Sequence, residues 1–544
     1  MDTKKAINTI HVVTDTRQLE SFSSDTEFCL VIGSRLALEA ERQGKTVKDW
    51  WEYRTEEINF LHAASEATNL IEAWSHLPLD GTNALRQLFV HDGQSVWDIV
   101  EPDLFWVLTH ILEDVMLVDQ IIQSIKPKNI VLHGTRHRVE RIFKIIGQLH
   151  SIPITVQGGT RIGRWFRSRI EMVFLTRISI RNRKTRKISI PRNIQWAMYS
   201  MRGLLRSIKG NLELRKKGIK SQRAEVLYIS VGRDNGVGPD GFRRILLQAR
   251  KEGQDFCVVD WLFSRAKQQA LGISAPFDSF DAYITPRILW DAARIGQKFF
   301  TDWRRATRSA AFRDLFTFRG VPMWTLIEIP LSEIIGWRMP QVVQVYETAR
   351  SVVQKKRAKL IIAPDKHISE SRALFLGARA SGGITVALPG RAGEYMDREH
   401  VGTPVQVADW TLTEGQGMRN WLIERGANEK SIIITGSPMA DVALSRNLVD
   451  SRAKVCDTYG FQLDKPIVLI ITSNVNNQEV NRIELKLPYI RGVFAAIKNL
   501  PEFQFIVKLH PSEIEDLEES IAIEMGLSEL KIVQHMDIYE LIAA

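Results

Sequence analysis

Five apolar, strand-like runs of this chain end abruptly on polar or Gly-rich corners, at Gly232 to Gly238, Asp365 to Glu370, Thr435 to Pro438, Thr472 to Asn477 and His510 to Glu513. Helix-like stretches alternate with these runs. Strand, corner and helix in alternation is the pattern of a parallel α/β sheet, where ligands bind beyond the carboxyl ends of the strands, often against helix N-termini. At 544 residues the chain is too long for one core, so two or three domains are expected.

The alternation divides the chain. "FCLVIGS" leads into "RLALEAERQG", and "IKPKNIVLHGT", "RHRVERIFKIIGQLHS" and "IPITVQGG" follow as strand, helix and strand. That spacing is a βαβ unit with a crossover helix, and it places an N-terminal α/β domain at 1–160 with a mainly helical insertion. At 225 the pattern restarts with "EVLYISVGRDNGVGPDG", "FRRILLQARKEG" and "FCVVDW", and continues through "LIIAP", "SRALFLGARASG" and "ITVALPG". These make a second Rossmann-like domain, 224–400, on the acceptor side. Its end, "LPGRAGEYMDREHVGTPVQ", has the Gly, Pro and charge of a hinge. The third domain, 401–544, holds "SIIITGS", "PIVLIITSN" and "FQFIVKLHPSE". Only a few of its strands are accounted for, so more sequence or another chain is expected to complete its sheet.

Charge is concentrated in one place. Residues 161–223 hold 19 Lys or Arg against Glu171 and Glu213, a local balance of +17 in a chain of net +10. In "RIGRWFRSRIEMVFLTRISIRNRKTRK" the arginines interleave with Trp165, Phe166, Met172, Val173, Phe174 and Leu175. Three readings stay open: an interfacial helix on an anionic membrane surface, a phosphate-neutralising stripe, and a solvated linker. No nucleic-acid-binding motif accompanies it, so no nucleic acid is expected. Cys29, Cys257 and Cys456 are far apart and fit neither a disulfide framework nor a metal site. No run reaches the about eighteen uncharged apolar residues of a membrane span, and "LFWVLTHILEDVMLVDQII" reads as a buried helix. The expected location is cytoplasmic, with peripheral attachment to the inner face of the plasma membrane if 161–223 is interfacial.

Several corners can carry chemistry. His510 at a strand tip can donate to a phosphate or ribose, Pro511 stiffens the turn, and Lys508 shares the face of His510 by strand alternation. Gly436 and Ser437 permit close backbone approach to a phosphate, although a plain helix N-cap at Ser437 competes. Thr472, Ser473 and Asn474 offer hydroxyls and an amide, and Glu513 completes the set of candidate nucleotide contacts. Asp365, His367 and Glu370 are candidates for the base that deprotonates an acceptor hydroxyl, with helix capping as the rival reading. No Walker loop, dinucleotide fingerprint, cofactor or metal site is recognisable.

"RGANEKSIIITGSPMADVAL" resembles the segment entering the donor domain of capsule and teichoic-acid type transferases, and is similar to the matching stretch of UDP-N-acetylglucosamine 2-epimerases. "FIVKLHPSE" followed by "DIYELIAA" resembles the His-Pro strand and next helix of transferases using CMP- or CDP-activated donors. The chain thus looks like a GT-B glycosyltransferase of bacterial surface (capsule or O-antigen) polysaccharide synthesis, C-terminally incomplete, clearest over 360–544. Where relatives often carry a Gln-His-Gly turn, this chain has Leu388, Pro389, Gly390 and Arg391. The resemblance implies Rossmann-like domains in a GT-B-type arrangement. It also implies glycosyl or polyol-phosphate transfer from a nucleotide-activated donor to a lipid-linked or polysaccharide acceptor. His510 and the Gly436–Ser437 turn would contact the donor. The alternatives are a nucleotide-sugar 2-epimerase and an inactive, membrane-associated binding protein.

Overall fold

The computed structural model describes residues 8–21, 28–55, 57–77, 85–134, 137–157, 173–179, 185–191, 201–212 (save 202 and 206), 223–230, 238–260, 277–364, 368–388, 407–424, 426–472, 483–510 and 517–544. The chain forms two compact units. One comprises Met1–Glu56, Leu117–Gln157 and Met439–Ala544, and the other Glu57–Met116 and Gly158–Pro438.

Strands along the chain are β1 (Thr9–Val13), β2 (Phe28–Val31), β3 (Lys48–Asp49), β4 (Val90–His91), β5 (Gln94–Ser95), β6 (Asn129–Leu132) and β7 (Ile154–Val156). Then come β8 (Val173–Ser179), β9 (Thr185–Pro191), β10 (Val226–Ser230), β11 (Phe256–Asp260), β12 (Phe277–Ser279), β13 (Thr317–Phe318) and β14 (Val321–Pro322). The last are β15 (Leu360–Pro364), β16 (Ile384–Leu388), β17 (Trp410–Thr413), β18 (Ile432–Ile434), β19 (Ile467–Ile471), β20 (Gln504–Lys508) and β21 (Lys531–Val533).

The first unit holds two parallel sheets, ordered β3-β2-β1-β6-β7 and β19-β20-β21. In β1, Ile10, Val12 and Val13 are wholly buried, with His11 the polar exception at 6% exposure. Burial on both faces explains why β1, β2 and β6 read as continuous apolar runs rather than alternating ones. Helix Arg138–Leu149 packs on β6 and β7. Its buried Val139, Ile142, Phe143 and Ile146 recur at the spacing that makes one apolar stripe. In the smaller sheet, Val507 and Leu509 join a cluster with Ile490, Phe494 and Ile521, while Ile506 packs with Val455 and Leu541. Alternation along β20 therefore feeds two cores.

The second unit is built on a seven-stranded parallel sheet, β12-β11-β10-β15-β16-β17-β18. The sequence reading put 401–544 in a separate domain. In the structure β17 and β18 extend this second sheet, and the next sheet begins at β19. Hydrophobic pattern identifies a strand without naming the sheet edge on which it adds. Helices Met339–Lys356 and Ser369–Arg379 pack tightly together. A short π-helical turn, Ile334–Arg338, joins Trp324–Glu333 to the first of them.

Within the basic segment, β8 pairs antiparallel with β9, which corrects the helical reading across 173–179 and 185–187. Val173, Thr176, Ile178, Thr185 and Ile188 are β-branched, and such residues favour the pleated strand over the helix. Trp165, Phe166 and Met172 lie outside the described residues. The stretch from Leu104 to Ile122 does form a helix, Val96–Ile125, with His110, Glu113 and Asp114 buried in it. Among the described residues no helix is long and apolar enough to cross a membrane.

All three cysteines are free and buried. Burial pushes the thiols of Cys29 and Cys257 up to about 12, against the opposing pull of Lys45 on Cys29 and with Asp278 adding to the rise at Cys257. Only the thiolate reacts appreciably. Native protein at pH 8 should therefore resist a thiol-disulfide reagent for many minutes and yield all three thiols in denaturant. Rapid stoichiometric labelling of the native form would contradict these environments.

Candidate functional site

The order of the seven-stranded sheet fixes one place of interest. From β10 the chain steps outward through β11 and β12, then returns to lay β15 on the other side of β10. Neighbouring strands whose connections leave in opposite directions form a switch point, and a crevice opens at their carboxyl ends. The corners following β10 and β15 are two of the five singled out in the sequence. Gly232, Asp365 and His367 lie outside the described residues. Glu370 is described, in the first turn of helix Ser369–Arg379.

Glu370 belongs to an ion-pair network that the sequence did not reveal. Arg338, on the π-helical turn, donates from Nη1 and Nη2 to the two oxygens of Glu370 at 2.6 and 2.5 Å. Its Nε donates to Asp103 Oδ2 at 2.7 Å, which also accepts from the Ser369 hydroxyl at 2.6 Å. Arg372, 3% exposed, donates to Glu101 at 2.9 Å and to the Asp98 carbonyl at 2.7 Å. Burial works against the Arg338 charge, but Asp103 and Glu370 outweigh it and hold the guanidinium above its usual range. Burial also raises the Glu101 carboxyl, partly offset by Arg372.

This geometry redirects the expectation for Glu370. Both its oxygens face a guanidinium fork, the geometry of a counter-ion, and a carboxylate so engaged is poorly placed to take a proton from an acceptor hydroxyl. What the network does is pin the helix that begins where β15 ends. π-helical turns of this kind are frequent at functional sites.

The second place of interest is the carboxyl end of the three-stranded sheet. Pairing continues one residue past β19 and β20, with Thr472 N–H donating to the Lys508 carbonyl at 3.0 Å and Leu509 N–H to that of Val533 at 2.8 Å. The structure thereby brings Thr472, Lys508 and His510 to one sheet end. Thr472 is 5% exposed, and its hydroxyl oxygen is buried with no hydrogen-bond partner. Leaving such a group unsatisfied costs about 1–3 kcal/mol.

Lys508 departs from the expectation of a phosphate contact. It is 4% exposed, and its ammonium donates to the carbonyls of Leu509 at 2.8 Å and Gln534 at 2.7 Å. Burial lowers its pKa. It acts as a strut between the ends of β20 and β21, because alternation puts it on the same buried side of the strand as Ile506. His510 is half-buried, and its carbonyl accepts from Gln534 Nε2 at 3.3 Å. Ser473, Asn474 and Glu513 lie outside the described residues.

Gly436 and Ser437 follow β18 in the second unit. Gly436 has φ 78°, a conformation that favours glycine, and Ser437 directly precedes helix Pro438–Leu444. No group of metal-ligating side chains occurs among the described residues.

No family model and no curated protein matches the chain. Solved structures are distantly similar. UDP-N-acetylglucosamine 2-epimerase from Rickettsia bellii is 12% identical, with 59% of this chain and 71% of that one covered at a TM-score of 0.33. HepE from Anabaena, in complex with UDP and glucose, is 12% identical, with 59% and 72% covered at 0.33. A glycosyltransferase from Rickettsia africae is 8% identical, with 59% and 71% covered at 0.34. Independently of these likenesses, the parallel sheets themselves make this an α/β, Rossmann-like protein.

Proposed function

We propose that this protein transfers a glycosyl or polyol-phosphate group from a nucleotide-activated donor of the cytidine type to a lipid-linked or polysaccharide acceptor. The observation that carries the reading is the buried, unpartnered Thr472 hydroxyl at the carboxyl end of the three-stranded sheet, beside the strand that delivers His510. A donor phosphate oxygen would accept from Thr472, and the His510 imidazole would donate to the same group. In glycosyl transfer the acceptor oxygen forms its bond to the anomeric carbon as the bond to the nucleotide phosphate breaks. The departing phosphate keeps the electron pair and is stabilised by the preorganised donors. The acceptor proton passes to a base, a role for which Glu370 is poorly placed because Arg338 holds both its oxygens. The basic segment 161–223 suits an anionic, lipid-linked acceptor.

The test is a thermal-shift series with CMP, CDP, UDP and GDP on wild type, His510→Ala and Thr472→Val. Binding to the native state stabilises by mass action, about 2.7 kcal/mol at a hundredfold excess over Kd. A cytidine nucleotide should raise the wild-type Tm, and both substitutions should abolish the rise without lowering the ligand-free Tm by a comparable amount. A shift with UDP alone would replace the cytidine donor by a UDP-sugar and bring forward 2-epimerisation, which needs no acceptor. No shift with any nucleotide would sink the reading.

A further inference from the structure

Helix 201–212 of the second unit wears its large apolar side chains on the outside. Met201, Leu205, Ile208 and Leu212 are between 48% and 59% exposed, and their i, i+4, i+7, i+11 spacing sets them in one stripe. The opposite side, Gly203, Ser207 and Gly210, is buried. A surface helix ordinarily does the reverse and turns its large apolar residues to the core. Contiguous apolar surface of this kind, edged by polar residues, marks an interaction site.

The helix cannot roll over to hide the stripe. A Cβ on Gly210 would stand 2.9 Å from the Ala282 backbone nitrogen, and one on Gly203 3.0 Å from Leu289 Cδ2, so the contact has no room for a larger residue. The Ser207 hydroxyl donates to the Ile284 carbonyl at 2.6 Å, and the Asn211 amide to that of Ala282 at 3.1 Å. These bonds fix the rotation of the helix. The neighbour it leans on, helix Pro286–Ala306, adds charge. Leu289 meets Gly203, and the next residue, Trp290, is 72% exposed. Arg287, Arg294, Lys298 and Arg305 are also exposed, and helical spacing puts them on the face of Trp290. Asp291 and Asp302 lie 3.7–4.0 Å from Arg287, Arg294 and Arg305. Two carboxylates against four cations leave that face positive.

We infer that helix 201–212 and the outer face of helix Pro286–Ala306 dock the protein on an anionic lipid bilayer surface. The apolar stripe enters the boundary between headgroups and acyl chains, Trp290 suits the same depth, and the cations meet the lipid phosphates. The interfacial element is thus a helix downstream of the 165–175 stretch singled out in the sequence, joined by a helix outside the basic segment. A nucleic acid would neutralise the cations and leave the stripe in water. A second copy of the chain would cover the stripe, but a two-fold contact would set the same positive face against itself. The docking surface does not depend on the nucleotide reading given above.

The test is co-sedimentation of the full chain with phosphatidylcholine vesicles, with and without phosphatidylglycerol. Wild type should bind the anionic vesicles alone, and less as salt is raised. Arg287→Gln/Arg294→Gln should weaken that partition about tenfold or more, since each cation near the surface contributes about 1 kcal/mol. Leu205→Gln/Ile208→Gln should weaken it by a similar factor, and Thr472→Val should leave it unchanged. Far-UV circular dichroism checks each variant, and the arginine pair decides alone if the helix variant fails to fold. Failure of wild type to bind, or equal binding to both kinds of vesicle, would overturn the inference. So would unchanged partition in the substituted proteins. A dimer in sedimentation velocity that Leu205→Gln/Ile208→Gln disperses, with no vesicle binding by wild type, would give the face to a second copy instead.

Discussion

Replacing Lys356 by methionine is expected to lower the stability of the second unit by about 3–5 kcal/mol, the cost of removing one partner from a buried ion pair. Lys356 and Asp278 are 0% and 1% exposed and ion-paired, and Asp278 also accepts from the Tyr283 hydroxyl at 2.6 Å. Burial first and Asp278 second hold the Tyr283 hydroxyl well above its usual pKa, so it remains a donor at any working pH. Methionine would fill the volume of the lysine stem and leave the Asp278 carboxylate in the core without its counter-ion. Adding Asp278→Leu should recover most of the loss, because an apolar replacement of a buried pair is often neutral or stabilising. Denaturant midpoints for the two single variants and the double variant provide the cycle. Equal losses in Lys356→Met and in the double variant would show that the ion pair is not what the lysine contributes.

Gly377→Ala should be the next most damaging single change, at the upper end of the about 1–3 kcal/mol cost of overpacking or beyond it. A Cβ built on Gly377 would sit 2.2 Å from the Tyr346 carbonyl oxygen, a backbone atom that cannot rotate away. Ala has the better helix propensity by about 1 kcal/mol, so propensity and packing predict opposite signs, and packing should win. The helices Met339–Lys356 and Ser369–Arg379 would have to separate. The second of these begins at Ser369 and Glu370, so the shift would also strain the Arg338 network. A denaturant midpoint unchanged or raised in Gly377→Ala would mean that the helices have slack.

The sequence made the central strands legible because they are largely buried on both faces, leaving "TIHVV", "VLYIS" and "LIIAP" as apolar runs cut off by polar corners. It made less of sheet membership. "WTLT" and "III" add to the second sheet because their backbones pair with β16 and with each other, and pattern carries no information about that choice. The corners after β10 and β15 stand out by their residues alone, and the strand order makes neighbours of the two strands that lead into them. Strand alternation put Lys508 on one face with His510, but that face is core at Lys508, where carbonyls rather than solvent meet the ammonium. Arg338 gave no signal at all. Its partners Asp103 and Glu370 are 235 and 32 positions away, and only folding brings them together.

We propose a donor nucleotide at the carboxyl end of the three-stranded sheet. Hydrogen exchange read by mass spectrometry, with and without saturating CDP, tests it most directly, because buried strand-end amides report ligand contact locally. Bound CDP should slow exchange in the peptides ending β19 and β20, covering Thr472 and Leu509–His510, and Thr472→Val should lose that protection. Protection absent from both peptides, or confined to the N-terminal sheet, would contradict it.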